Sequence, residues 1–527
     1  MNTKNKLRDS WGSRLGIIMA VAGAAVGLGN FLRFPVQAVK NGGGAFIVPY
    51  FLALLFVGIP LMWIEWSIGR YGGGFGLSTA PGMFQSLWRK NRFIKYFGII
   101  GIFGPLVIMV YYTYIESWTL AYSFFAITGK YSAITNELGL RSFLNGFQGL
   151  EKNEYFSSIV PAYIFFIITF AINIAILKNG IKGGIERFCK YAMPTLFIFA
   201  FILAVKVLSS NPPNILHPDW NVLNGLGYLW NPDFSQLKNA KIWLSATGQI
   251  LFTLSVGMGV ILTYASYLKK SDDVVLSGLT ASSLNEIAEV ILGGCIVIPV
   301  AFMFFGPTAM GSIANSGAFN LGFVTMPQIF NNMAWGELMG FLWFSLLFLA
   351  GVTSSVSMAQ PAIAFMEDEF NISRKKSIFI FSILNFILST LTILFFGKGV
   401  VDELDFWGGT FCLILFAIVE VMLFAWIFGI DKAWEEMHHG SDMKIPPYYK
   451  FIIKYITPAF LLFVITYWFF QEWIPILRMD NVLAENKNYV IATRGGLCLL
   501  FFIIAIFVKI AWEKRKISEL NPIEKET

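Results

Sequence analysis

Residues 15–34 read LGIIMAVAGAAVGLGNFLRF and residues 246–266 read ATGQILFTLSVGMGVILTYAS. Each is an apolar run with a Gly-x-Gly in its middle, Gly27-Leu28-Gly29 in the first and Gly257-Met258-Gly259 in the second. Glycine costs about 1 kcal/mol relative to alanine inside a helix. A pair of glycines also frees backbone N–H and C=O groups that lipid does not satisfy. Taken alone, Gly23 and Gly27 spell a GxxxG packing face, which is the blander explanation. The flanks match, however: AVGLG at 25–29 and SVGMG at 255–259. The second segment falls five apolar runs after the first, so runs one to five and six to ten are expected to form repeats of opposite topology. Paired interrupted spans of this kind point to a cavity at mid-membrane where the freed backbone binds a ligand.

The rest of the chain agrees with a membrane setting. Of its 527 residues 56% are apolar and only 13% charged, with 53 Phe and 16 Trp, and the mean hydropathy is +0.64. Soluble domains carry roughly 25% charge, so disorder and a soluble enzyme are both excluded. Apolar runs lie near 14–38, 44–70, 92–126, 156–177, 189–208, 241–268, 275–305, 338–368, 376–396, 400–428, 449–472 and 490–512. At about 20 residues per span these make twelve transmembrane helices. Basic clusters at 4–14, 89–95, 178–190, 374–376 and 514–516 recur at the spacing of alternate loops. By the positive-inside rule, both termini are expected on the cytoplasmic side of a bacterial inner (plasma) membrane. The outer connections are then 127–155, 209–240 and 306–337, the last without a single Lys or Arg. The basic clusters are too short and scattered for nucleic acid. The first run looks like a retained span rather than a cleaved signal peptide. Cys189, Cys295, Cys412 and Cys498 form no CxxC pair, and His217, His438 and His439 no metal spacing.

Near the breaks lie neutral oxygen donors suited to a small hard cation: Asn30, Thr253, Ser255, Asn285, Thr353, Ser354 and Ser355. Singly, each has an ordinary role as interhelical glue; their gathering beside two breaks favours an ion site. Acids inside apolar runs are Glu65, Glu116, Glu286, Glu289 and Glu420. They are costly there and so informative, either as a proton relay or, for Glu65, as an acceptor for N–H groups of an unwound helix. At the span ends, Arg33 with Asp405 and Arg8 with Asp368 can form two weak ion pairs, one per side. No Walker A, nucleophile elbow or HExxH motif is found, so no enzymatic activity is expected.

Longer motifs carry a resemblance. WGSRLGIIMAVAGAAVGLGNFLRFPVQAVKNGGGAF, WIEWSIGRYGGG, YYTYIESWTL, GQILFTLSVGMG, LTASSLNEIAEVILGG, AGVTSSVSMAQPAIAFMEDE and ELDFWGGT resemble the neurotransmitter:sodium symporter family, and most of all its bacterial LeuT-type amino-acid transporters. The likeness runs from about Trp11 to the last span. It implies an all-α polytopic LeuT fold: 12 transmembrane helices, a 5+5 inverted repeat and broken helices 1 and 6. Residues 1–512 would form one transporter domain, with repeats at about 14–208 and 241–428, peripheral helices at about 449–512 and a cytoplasmic tail at 513–527.

The resemblance also implies residue roles. The substrate carboxylate would meet the Leu28 and Gly29 N–H groups, the Tyr112 hydroxyl and a first sodium ion held by Ala25, Asn30, Thr253 and Asn285. A second sodium ion would sit among Gly23, Val26, Ala350, Thr353 and Ser354. Tyr112 and Phe252 would form a lid, Arg33 and Asp405 an outer gate, and Arg8, Asp368, Tyr267 and Gln360 an inner closure. Glu289 stands where chloride-dependent relatives have serine and would replace the anion, so no chloride requirement is expected. The remaining pocket positions are Ala24, Ile108, Ser255, Met258, Ser354 and Met358. Four of them depart from the LeuT pattern: Ala24 for asparagine, Ile108 for valine, Met258 for phenylalanine and Met358 for isoleucine. Methionine is pliant, and the lining stays apolar. The expectation is a sodium symporter for neutral hydrophobic amino acids, leucine-like, methionine or an aromatic one, embedded in the lipid bilayer. A sensor of the same fold that binds without transporting is the alternative.

Overall fold

The structure is a computed structural model that describes residues 9–514. Among these residues every regular element is helical. Ten helices are long and apolar enough to cross a membrane: α2 (Gly44–Gly73), α3 (Ile94–Ile127), α4 (Val160–Lys178), α5 (Ile181–Leu208), α7 (Val275–Asn315), α8 (Gly336–Phe370), α9 (Arg374–Leu394), α10 (Val400–His438), α11 (Tyr448–Arg478) and α12 (Ala484–Glu513). The first apolar run is an eleventh span, broken into α1a (Arg14–Ala25) and α1b (Leu28–Lys40), which meet at 47°. The sixth run forms α6a (Ala240–Thr253) and α6b (Val260–Ala265), separated by residues 254–259. The twelve apolar runs are thus ten single spans, of which α7 kinks at Gly306 and α10 at Gly429, and two interrupted ones.

The three connections expected on the outer side are not plain loops. They fold into short helices, among them Glu137–Gln148, Val222–Trp230 and Met326–Asn331. Burial sorts the bundle into centre and periphery. The most apolar stretch of α3 is 83% buried inside the protein, against 28% for α4 and for α12. The most extensive helix pairing is α3 along α8. Together with α1, α6 and α7 they surround the two breaks, and the peripheral helices turn apolar side chains such as Ile164, Phe201 and Phe502 outward, as lipid allows.

One end of the bundle is tied together by polar contacts. Asp9 accepts the Ile181 N–H at 3.1 Å, Gly12 donates to Glu186 at 2.6 Å, and Arg374 donates to the Leu177 carbonyl at 2.9 Å. Arg14 pairs with Asp273 at 2.9 Å and Asp442 at 2.6 Å. Hence the N-terminal segment and the turns after α4, α6, α8 and α10 share one end.

Candidate substrate and ion site between two broken helices

The α1 break is local in origin. Val26 leaves the helical region at φ −74°, ψ 92°, Gly27 is extended, and α1b begins at Leu28. The Gly27 N–H is taken by the Asn30 Oδ1 at 2.8 Å, the bond by which the third residue of a helix reaches back to its N-cap. At the α6 break Ser255, Gly257 and Gly259 all have positive φ, at 54°, 77° and 74°. Glycine is needed at 259, since a Cβ there would lie 2.6 Å from the Gly101 Cα. The Gly257 N–H donates to the Glu65 carboxylate, the acceptor role anticipated for that acid.

The two breaks touch. Ser255 donates to the Ala24 carbonyl at 2.9 Å, and Ser354 of α8 reaches the Gly23 and Ala24 carbonyls, each at 3.3 Å. Between them lies a cavity with an empty volume of about 480 Å³. All twelve expected substrate positions line it: Ala24, Ala25, Leu28, Gly29, Ile108, Tyr112, Phe252, Thr253, Ser255, Met258, Ser354 and Met358. Gly27, Asn30, Val260 and Ser357 line it as well. No Asp, Glu, Lys or Arg is among the lining residues. Ser357 escaped the sequence reading although it lies three residues from Ser354, on the same helix face; it accepts from the Tyr264 hydroxyl at 2.8 Å. On one wall the Leu28 N–H donates to the Tyr112 hydroxyl at 3.3 Å. On another Phe252 lies directly over Gly29, 2.8 Å from where a Cβ would stand.

Three of the four residues expected around the first ion cluster by their side chains. The Asn30 Nδ2 donates to Asn285 at 2.8 Å, to Glu289 at 3.1 Å and to Thr253 at 3.2 Å, while Ala25 lines the adjoining cavity. Glu289 also accepts from Gln249 at 2.7 Å and from the Thr253 hydroxyl. It sits in the wider π-helical turn Ile287–Gly294 of α7, a distortion frequent at functional positions. The Thr253 hydroxyl and the Asn285 Oδ1 next to a fully buried carboxylate suit a hard monovalent cation in donor type and charge, while Asn30 turns its Nδ2 toward them and its Oδ1 to the Gly27 N–H. At the second expected site, Thr353 packs against Gly23, whose Cβ would stand 3.0 Å from that of Thr353. The Thr353 hydroxyl meets the Ala350 carbonyl at 3.0 Å. Val26 ends α1a, with its N–H on the Ala22 carbonyl at 2.7 Å.

The expected gates differ from the geometry found. Arg33 and Asp405 form no ion pair. Arg33 stacks over the Phe252 ring at 4.2 Å, and Asp405 accepts from the Tyr111 hydroxyl at 2.5 Å. The reason is direct competition: Tyr111, next to Tyr112 on α3, reaches the carboxylate, and the aromatic lid draws the guanidinium. At the opposite end Arg8 lies outside the described residues, and Asp368 accepts from Ser78. Gln360 donates to Tyr267 at 3.1 Å and accepts from Arg374 at 3.2 Å. This end holds a latch that sequence reading missed, the Arg14–Asp273–Asp442 cluster. Its neighbour Trp11 donates to the Tyr264 carbonyl at 2.9 Å. The other intramembrane acids are structurally engaged. Glu116 joins α3 to α8 and α4 through Ser355 at 2.5 Å and Asn173 at 3.2 Å, and Glu286 takes the Tyr50 hydroxyl at 2.8 Å; Glu420 is the exception, fully buried with neither carboxylate oxygen hydrogen-bonded among the described residues.

A membrane bundle with two interrupted central helices around a neutral, polar-ended cavity defines a carrier of the repeat-built type. A family model described as the sodium:neurotransmitter symporter family matches residues 8–138 and 143–510. An uncharacterized sodium-dependent transporter of Methanocaldococcus jannaschii is 32% identical over 512 residues, covering 97% of this chain and 98% of that protein. The sodium-dependent serotonin transporter of Drosophila melanogaster is 25% identical, covering 93% and 80%. Among solved structures, the crystal structure of MhsT in complex with L-phenylalanine is similar at a TM-score of 0.74 and 29% identity, covering 87% and 99%. The chain belongs to the sodium:neurotransmitter symporter family. It has the LeuT fold and is a multi-span membrane protein of a family of sodium-coupled transporters.

Proposed function

We propose that the chain takes up a neutral, hydrophobic amino acid together with two sodium ions, by alternating access and without chloride. What carries this is the one cavity at both helix breaks, apolar along its sides and free of charged lining residues. A substrate carboxylate would lie at the N-terminus of α1b, where the Leu28 and Gly29 N–H groups and the helix dipole favour negative charge, with the Tyr112 hydroxyl as a further donor. The side chain would face Ile108, Met258 and Met358. The bound phenylalanine of the similar MhsT supports a hydrophobic side chain of that order of size, and the two methionines supply a wall that adjusts to it.

Sodium enters as co-transported cargo. Ala25, Asn30, Thr253 and Asn285 would hold one ion beside the substrate carboxylate; Gly23, Val26, Ala350, Thr353 and Ser354 would hold the other. Glu289 would supply the negative charge that a chloride ion supplies in chloride-dependent relatives. One charge crossing 100 mV is worth about 2.3 kcal/mol, and a tenfold gradient adds about 1.4 kcal/mol. Two ions then supply about 7 kcal/mol, enough for roughly 10⁵-fold accumulation. The end of the bundle that carries the N-terminus also carries the basic turns, which supports both termini being cytoplasmic.

The test is binding of labelled leucine and phenylalanine to purified protein in sodium against potassium, followed by uptake into proteoliposomes. Saturable binding in sodium alone, with concentrative uptake, is expected. Sodium-insensitive binding overturns the ion sites, and binding without uptake assigns the chain to the sensor alternative.

A further inference from the structure

We propose that residues 88–97, the turn that precedes α3 and the first turn of α3, are a binding site for the headgroup of an anionic phospholipid in the leaflet facing the N-terminal end of the bundle. The stretch WRKNRFIKYF carries Arg89, Lys90, Arg92 and Lys95 and no acid. Among the described residues none of the four makes an ion pair; Arg89 lies over the Phe75 ring at 5.2 Å and Lys95 over Trp512 of α12 at 5.8 Å.

The backbone is organised so that the outer face is cationic. Gln85, fully buried on the preceding short helix Ala80–Leu87, turns its Nε2 to three carbonyls of the turn. These are Trp88 at 3.1 Å, Arg89 at 3.3 Å and Asn91 at 3.0 Å. Those acceptors are therefore drawn inward, while Lys90 and Arg92 remain exposed. The concavity that Trp88, Lys90, Asn91, Arg92 and Phe93 line is open and has an empty volume of about 660 Å³. Its charge, from Lys90 and Arg92, favours an anion, and one short stretch of chain supplies the whole lining.

Two aromatic side chains indicate why the anion belongs to a lipid. Phe93 is 74% exposed and Phe97 48% exposed, one beside the cations and the other a turn further into α3. An exposed phenylalanine beside unpaired cations at the start of a membrane span matches the boundary between headgroups and acyl chains. A soluble phosphate leaves Phe93 and Phe97 in water; a phospholipid covers them. Juxtamembrane Lys and Arg each strengthen binding to an anionic surface by about fivefold.

The experiment is native mass spectrometry of the full chain in detergent, titrated with phosphatidylglycerol or phosphatidylcholine of identical acyl chains. The wild-type protein is expected to retain phosphatidylglycerol about tenfold better. The double variant Lys90→Gln/Arg92→Gln should lose that preference, whereas Lys375→Gln/Lys376→Gln, at the start of α9, should keep it. Phe93→Ser should weaken retention of both lipids. Sodium-dependent thermal stabilisation by amino acid, measured on each variant, reports the fold separately. Equal retention of the two lipids, an equal loss in both double variants, or displacement of the lipid by soluble glycerol phosphate would overturn the proposal.

Discussion

Asp273→Asn tests the latch at the N-terminal end of the bundle. The Asp273 side chain is 2% exposed and accepts the Arg14 Nη2 at 2.9 Å, the Asp442 N–H at 2.9 Å and the Leu276 N–H at 3.0 Å. Asparagine keeps the shape and one acceptor, but its amide turns a donor toward either the Arg14 and Asp442 donors or the Leu276 N–H. Breaking a fully buried pair costs about 3–5 kcal/mol, and an exposed pair is worth at most about 1 kcal/mol. Arg14 is 42% exposed and keeps Asp442 and Ser277 as partners, so the loss should be about 1–2 kcal/mol, between those limits. Arg14 starts α1a, while Asp273 and Asp442 lie in the turns after α6 and α10. The loss therefore falls on the conformation in which this end is closed, shifting the equilibrium toward opening by roughly 5- to 30-fold. Hydrogen exchange of residues 14–25 should speed up by that factor, with sodium-dependent amino-acid binding still saturable. A double-mutant cycle with Arg14→Gln should return a coupling of similar size. Unchanged exchange in Asp273→Asn, or no coupling in the cycle, would show that the cluster does not hold the end shut.

Tyr112→Phe removes a hydroxyl that faces the cavity beside the Leu28 N–H. A hydrogen bond to a charged group is worth about 1.5–3 kcal/mol, so amino-acid affinity should fall roughly 10- to 100-fold with little change in melting temperature. An unchanged Kd would remove Tyr112 from the carboxylate site. Glu289→Ser takes away the buried charge that Asn30, Thr253 and Gln249 surround; its sodium-dependent binding should vanish in chloride-free buffer and return with chloride. Full binding without chloride in that variant would refute the charge-replacement role of Glu289.

Much of the site was legible because helix breaking is local. Gly257-Met258-Gly259 interrupts its span through the positive φ of both glycines, while the first break follows an extended Gly27 capped by Asn30, and no distant residue is needed to see either. The periodicity of α3 and α8 likewise places Ile108 with Tyr112, and Ser354 with Met358, on one face each, four residues apart. Apolar run length set the number of spans. What the chain pattern by itself determined was thus the membrane bundle, its two breaks and the residue types beside them.

Partnership across distant segments was decided only by the tertiary structure. The Arg33 and Asp405 charges suggested a pair, yet Tyr111 and Phe252 compete for them, and that competition depends on how α3, α6a and α10 are set against one another. Arg14 read as one of many basic residues at the start of the chain; its partners Asp273 and Asp442 lie 259 and 428 positions away. The Gln85 side chain that turns three carbonyls of the 88–91 turn inward was equally silent in composition. Local conformational energies are written in neighbouring residues. The choice among several possible charged partners is made by packing, because a few ångströms separate an ion pair from two solvated charges.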